Sequence, residues 1–127
     1  MIHVNVYKQS SFPVSTKKIK DRVIKILTDN GLTSDFEVSV AIVGSAKMLE
    51  IGKKYYKDNT EHPIFTFPYS EVKEPFLLPE DGVNRLGEII ISYPQAVAES
   101  KKTGKLLDQI VCDLAEHGSL HLMGIHH

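Results

Sequence analysis

Glu88-Ile89-Ile90-Ile91-Ser92 (EIIIS) is the most strand-like run in the chain. Its apolar residues do not alternate with polar ones. That pattern suits a central strand buried on both faces, where neither side has to meet water. Ser92 then precedes Tyr93-Pro94, and a serine followed by a proline marks the start of a helix, with Pro94 at its first position. Gly104 interrupts that helix. A last helix begins near Lys105, with Leu106, Leu107, Ile110, Val111 and Leu114 on one apolar stripe.

A central strand needs neighbours, and the upstream sequence supplies them. Met1–Tyr7 alternates as a half-buried strand, with Ile2, Val4 and Val6 on one face. Ser15 or Thr16 caps a helix whose stripe is Ile19, Val23, Ile26 and Leu27, and Gly31 stops it. Val38, Val40 and Ile42 mark a second strand. Ser45 caps a short helix carrying Met48, Leu49 and Ile51, which runs out near Tyr55–Tyr56. Lys57–Pro63 is a polar connection. Ile64–Phe67 reads as a short strand, ended or placed at an edge by Pro68. Ser70–Arg85, rich in Pro, Asp and Glu, reads as a long surface loop of the kind that more often serves function than not. The order predicts one small α+β domain over residues 1–127, with a mixed sheet of about four short strands and about four to five helices.

Composition narrows the function classes. The chain is 42% hydrophobic and 24% charged, as expected of an ordinary globular domain. Its net charge of −1 provides no global field for nucleic acid, so any such contact needs a local patch, and no DNA partner is expected. The single cysteine, Cys112, rules out an intrachain disulfide and fits a reducing compartment. The N-terminal stretch lacks a signal-peptide apolar region, and no apolar run approaches the roughly 20 residues that span a bilayer. The expectation is a cytoplasmic protein with no membrane partner.

The chemistry concentrates at the C-terminal end. Of six histidines, four fall in the last eleven residues: His117, His121, His126 and His127. His117 and His121 sit one turn apart on a segment already read as helix, so both imidazoles share a face. Such a pair can hold a transition metal, with Zn–N distances of about 2.0–2.1 Å. Gly124 stops the helix and lets the chain return His126 or His127 toward the pair. Three histidines would leave a fourth zinc position for water, the arrangement of a hydrolytic rather than a structural site. Zinc is the expected cofactor, although imidazole also suits nickel and other divalent transition metals. An isolated i, i+4 histidine pair is common on solvated helix faces; the further histidines after a glycine stop make the metal reading.

His117-Gly118-Ser119-Leu120-His121-Leu122-Met123-Gly124-Ile125-His126-His127 resembles the HGxLHLxGxDH signature of the YbeY family. Leu86-Gly87-Glu88-Ile89-Ile90-Ile91-Ser92 resembles that family's G[DE]IxIS strand, and the order of elements is similar along nearly the whole chain. The resemblance implies a metal-dependent, single-strand-specific endoribonuclease acting in ribosomal RNA maturation and ribosome quality control. A metal-bound water would be the nucleophile, and single-stranded or ribosomal RNA and the small ribosomal subunit would be the partners. It implies His117, His121 and His127 as metal ligands, with His126 standing where the family has aspartate and kept as the alternative third ligand. It also implies Glu88 as the catalytic carboxylate. Glu88 would orient the water or act as general base; no glutamate follows the first ligand in HExxH fashion.

Some positions depart from the pattern. Gly52 and Tyr56 stand where the family has an asparagine and an arginine, before His62-Pro63-Ile64-Phe65-Thr66-Phe67-Pro68. Tyrosine lacks the charge and the bidentate fork of a guanidinium. Lys53, Lys54 and Lys57, with Tyr56 and Tyr55, form a candidate RNA contact, as do Lys101, Lys102 and Lys105 and the lysines of the first helix, although such clusters are usually just solvated faces. Two other readings stay open: zinc hydrolysis of a different bond, and a ribosome-associated module whose metal is structural.

Overall fold

A computed structural model describes residues 1–57, 60–69 and 84–125. Its elements, in chain order, are β1 (Ile2–Tyr7), α1 (Thr16–Asp29), β2 (Phe36–Val43) and α2 (Ser45–Ile51). A single π-helical turn (Gly52–Tyr56) continues α2, followed by β3 (Ile64–Pro68), β4 (Arg85–Ser92), α3 (Tyr93–Thr103) and α4 (Leu107–Leu122). The class is α+β, as the element order predicts.

The four strands form one mixed sheet in the order β1-β2-β4-β3. β1 pairs parallel to β2 and β2 parallel to β4, while β3 runs antiparallel to β4 on the outer edge. β4 is therefore internal, and Ile89, Ile90, Ile91 and Ser92 are all buried. The two faces have different cores. Ile89 and Ile91 join Val38, Val40 and Ile42 of β2 beneath α1 (Ile19, Val23, Leu27) and α4 (Val111, Ala115, Leu122). On the opposite face Ile90 packs with Phe65 and with Met48 of α2. Successive strand residues point to opposite sides, so a run of isoleucines serves both cores at once.

Several helix ends match their local chemistry. The Ser15 hydroxyl, rather than Thr16, accepts from the Lys18 N–H at 3.2 Å. Gly31, at φ 92°, closes α1: its N–H bonds Thr28 O, and the Leu32 N–H bonds Leu27 O. Ser92 caps α3 by accepting from the Gln95 N–H. Pro94 is its second residue, because Tyr93 is already helical.

Three local expectations are corrected. Gly44, not Ser45, is the extended residue before α2, and the Ser45 hydroxyl instead donates to Glu61 Oε1 at 2.8 Å. The Ser92 hydroxyl donates to the same oxygen at 3.0 Å, so Glu61 ties α2 to the end of β4. The last helix starts at Leu107; Leu106 has an extended backbone and is 76% exposed, outside the core stripe. β4 begins at Arg85 rather than Glu88. A register shift between Glu37 and Val38, which pair with Arg85 and Gly87, extends the pairing past the isoleucine run. The rest of the expected Ser70–Arg85 loop, apart from residues 84 and 85, lies outside the described residues. No helix among the described residues is long and apolar enough to cross a membrane.

Candidate metal centre and its surroundings

α4 carries the histidine pair, and two contacts set its position. Gly118 faces the sheet: a Cβ there would lie 2.9 Å from Ile89 Cγ2 and 3.1 Å from Ile64 Cδ1, so only a hydrogen lets the helix settle this close to β3 and β4. One turn on, Leu122 lies over Gly87, whose own Cβ would fall 2.6 Å from Leu122 Cδ2 and 2.5 Å from the Phe67 carbonyl oxygen. Gly87 also holds φ 154°, where a side chain is strained. Both glycines flank chemistry-bearing residues, His117 and Glu88.

The other fixed contact is with α1. Arg22 donates to Asp113 Oδ1 at 3.0 Å and to Glu116 Oε2 at 2.6 Å, and these two carboxylates hold its guanidinium still more firmly protonated. Residues of an α-helix are about 100° apart around its axis. His117 and His121 therefore stand about 100–140° around the axis from Glu116, between the sheet-facing Gly118 and Leu122 and the outer side of the helix where Asp113 lies one turn before His117. Since α1 packs on β1 and α4 on β3 and β4, the flank that carries them overlooks the β3 edge.

The His117 and His121 rings are 4.3 Å apart between centroids and tilted by 51°. His117 is exposed and His121 half-buried. Two imidazoles this close on a helix clamped at both the sheet and α1 form a two-nitrogen donor set that fits a transition metal. The helix then ends as expected at Gly124 (φ 80°). The Gly124 N–H bonds His121 O at 2.9 Å and the Ile125 N–H bonds Leu120 O at 2.9 Å, the paired closure of a glycine-ended helix. His126 and His127, the candidates for third ligand, come next and lie outside the described residues. Among the described residues no group of three or more His, Cys, Asp or Glu side chains is placed to hold a metal ion.

The remaining predicted residues belong to the other face. Glu88 is exposed and pairs in register with Ser39 and Phe67. It alternates with Gly87 and Ile89, which face α4, so it shares the face of Ile90 and the π-helical turn. It is nevertheless at the end of the sheet that the last turn of α4 reaches, one residue from where β3 stops at Pro68. Lys53 and Lys54 are exposed on the π-helical turn, and Lys57 follows in a left-handed conformation (φ 51°), its N–H bonded to Gly52 O. Tyr56 stacks on Phe65 with centroids 4.8 Å apart and planes 9° from parallel. His62 is half-buried and tilted against the same Phe65 ring at 4.9 Å. Sequence reading did not anticipate this aromatic cluster. Its signal was the Phe65/Phe67 alternation two residues apart, which puts both rings on one face of β3.

Comparison with known proteins identifies the family. Residues 4–127 match the family model described as "Endoribonuclease YbeY". The chain is 30% identical over 117 residues to the "Endoribonuclease YbeY" of Caldicellulosiruptor bescii, covering 88% of this chain and 73% of that one. It is 32% identical to the protein of the same name from Thermodesulfovibrio yellowstonii, over 96% of this chain and 81% of the relative. The solution structure of TM1509 from Thermotoga maritima superposes with a TM-score of 0.62 at 20% identity, covering all of this chain and 75% of that one, and so shares the fold. The chain belongs to the YbeY endoribonuclease family.

Proposed function

We propose that this protein is a metal-dependent, single-strand-specific endoribonuclease of ribosomal RNA maturation and ribosome quality control, acting in the cytoplasm on RNA of the small subunit. The observation that carries the reading is the His117–His121 pair, with ring centroids 4.3 Å apart on a clamped helix in a chain of this family. The metal would be held by His117 and His121 with His127 as third ligand, His126 being the alternative. Zinc suits an all-imidazole set, and nickel is the nearest substitute. When bound, such an ion supplies Lewis acidity toward the phosphoryl group and acidifies water.

The protein's own groups do the rest. Glu88, on β4 beside the end of β3, is assigned the proton transfer, reached around the strand end rather than through the sheet. Lys53, Lys54 and Lys57 supply positive charge for the RNA backbone. The family arginine is replaced by a tyrosine, so the phosphate is met by point charges rather than by a fork.

The test uses the full chain purified without a nickel column, stripped with EDTA and titrated with zinc. One equivalent bound, and cleavage of single-stranded RNA but not the matching duplex restored by that equivalent, is the expected result. Binding of less than about half an equivalent of any transition metal would sink the metal reading. Stoichiometric zinc with no cleavage, and a fold that collapses on stripping, would favour a structural metal instead.

A further inference from the structure

We infer that the aromatic cluster built by the π-helical turn on β3 is a base-stacking platform for single-stranded RNA, with Tyr55 and Tyr56 as its contact surface. The inference rests on the endoribonuclease reading and adds the feature that selects single strands.

The geometry is unusual for two adjacent residues. Neighbours on an α-helix point about 100° apart, so one of a pair is normally buried and the other solvated. Here the turn is opened by the Lys57 N–H bond to Gly52 O. Both rings reach β3: Tyr56 stacks on Phe65, and Tyr55 meets Phe67 at 5.1 Å and 60°. Both remain about half in solvent, Tyr55 at 57% and Tyr56 at 49% exposed.

Support and charge agree with this use. Phe65 is 5% exposed, so Tyr56 rests on a ring packed in the core of that face. A held tyrosine loses little freedom when a base stacks on it. Lys54 Nζ lies 5.2 Å from the Tyr55 centroid, and Lys53 and Lys57 are exposed beside it. Glu50 on the same helical segment is engaged by Lys47 at 3.7 Å. Phe67 pairs in register with Glu88, so the platform adjoins the carboxylate assigned the proton transfer. Aromatic faces flanked by cations are what single-stranded nucleic acids bind, because every base has a π-face. Bases inside a duplex are already stacked and cannot reach the rings.

The experiment measures binding of the metal-loaded full chain to a fluorescein-labelled 2′-O-methyl oligouridine, which resists cleavage, and to an abasic strand of equal length and charge. The wild type is expected to prefer the base-bearing strand by about tenfold or more. The Tyr55→Ala/Tyr56→Ala double variant should bind both strands alike, and Tyr55→Phe/Tyr56→Phe should keep the preference. A Tyr55→Leu/Tyr56→Leu double variant retains apolar cover over Phe65 and Phe67 without a π-face; it should also lose the preference, and it serves if the alanine form fails to fold. Lys53→Ala/Lys54→Ala should weaken both strands equally and flatten the salt dependence. A wild type that cleaves single-stranded RNA yet binds both strands alike, or a leucine variant that keeps the preference, overturns the platform alone. A wild type that neither cleaves RNA nor binds either strand overturns the nuclease reading together with it.

Discussion

The polar side chains of α4 are treated in opposite ways on its two flanks. On the α1 side, Asp113 and Glu116 are spent on Arg22, and Asp108 accepts from the Ser15 N–H at 2.8 Å. On the β3 side, His117 and His121 are drawn together and left reachable. A helix held by ion pairs on one flank and by close glycine contacts beneath can offer donors on the other without losing their spacing. The lesson is that rigidity and chemistry are separated by less than half a turn.

The comparison breaks most visibly if each flank is cut in turn. His121→Ala should lower cleavage of single-stranded RNA by more than about 100-fold, beyond what loss of a supporting residue costs a metal site. Its urea midpoint should move little, since the ring is not core. Glu116→Ala should leave cleavage within a few-fold of wild type. Equal losses in the two variants would show that the flanks are not separate.

The contacts beneath the helix come next. Gly87→Ala should destabilise by about 2–4 kcal/mol in urea denaturation, because its Cβ meets a backbone oxygen at a positive φ. Gly118→Ala should cost about 1–2 kcal/mol, since overpacking against Ile89 is offset by better helix propensity. It should also weaken zinc binding measured by calorimetry, by tilting both histidines; unchanged zinc affinity would mean the helix absorbs the methyl elsewhere. Arg22→Met is expected to cost only about 1 kcal/mol, because the ion pairs are partly exposed and screened, with zinc affinity unaltered.

The smallest effect concerns Cys112, on the α1 side of the helix. Burial pushes its thiol above the ordinary range, and the Arg22 charge only partly opposes this. Its alkylation by iodoacetamide at neutral pH should therefore be slower than that of a free cysteine, measured by mass spectrometry. Reaction at the free-thiol rate would show that the α1 flank opens.

Much of this was legible before any coordinates. Ile89-Ile90-Ile91 announced a strand covered on both faces, and each of these isoleucines does face a core. Gly31 and Gly124 announced two helix ends, and both close them with left-handed residues. The His117–His121 spacing placed two rings on one face because helical periodicity is local. What spacing could not show was the side of the sheet. Glu88 lies one position from Gly87 in sequence, yet the pleat turns it away from α4. Tyr56 read as a lost arginine until Phe65 beneath it gave the ring a partner.

The sequence by itself determined most of the elements, the serine caps of α1 and α3 and the histidine pair, because those depend on contacts within a few residues along the chain. Only the tertiary structure decided which flank of α4 the histidines take, which face Glu88 shares, and that two adjacent tyrosines lie on two phenylalanines of β3. These follow from strand order, the shift at Val38, and the approach of α4 over glycine. They are agreements between distant segments, and local spacing along the chain does not encode them.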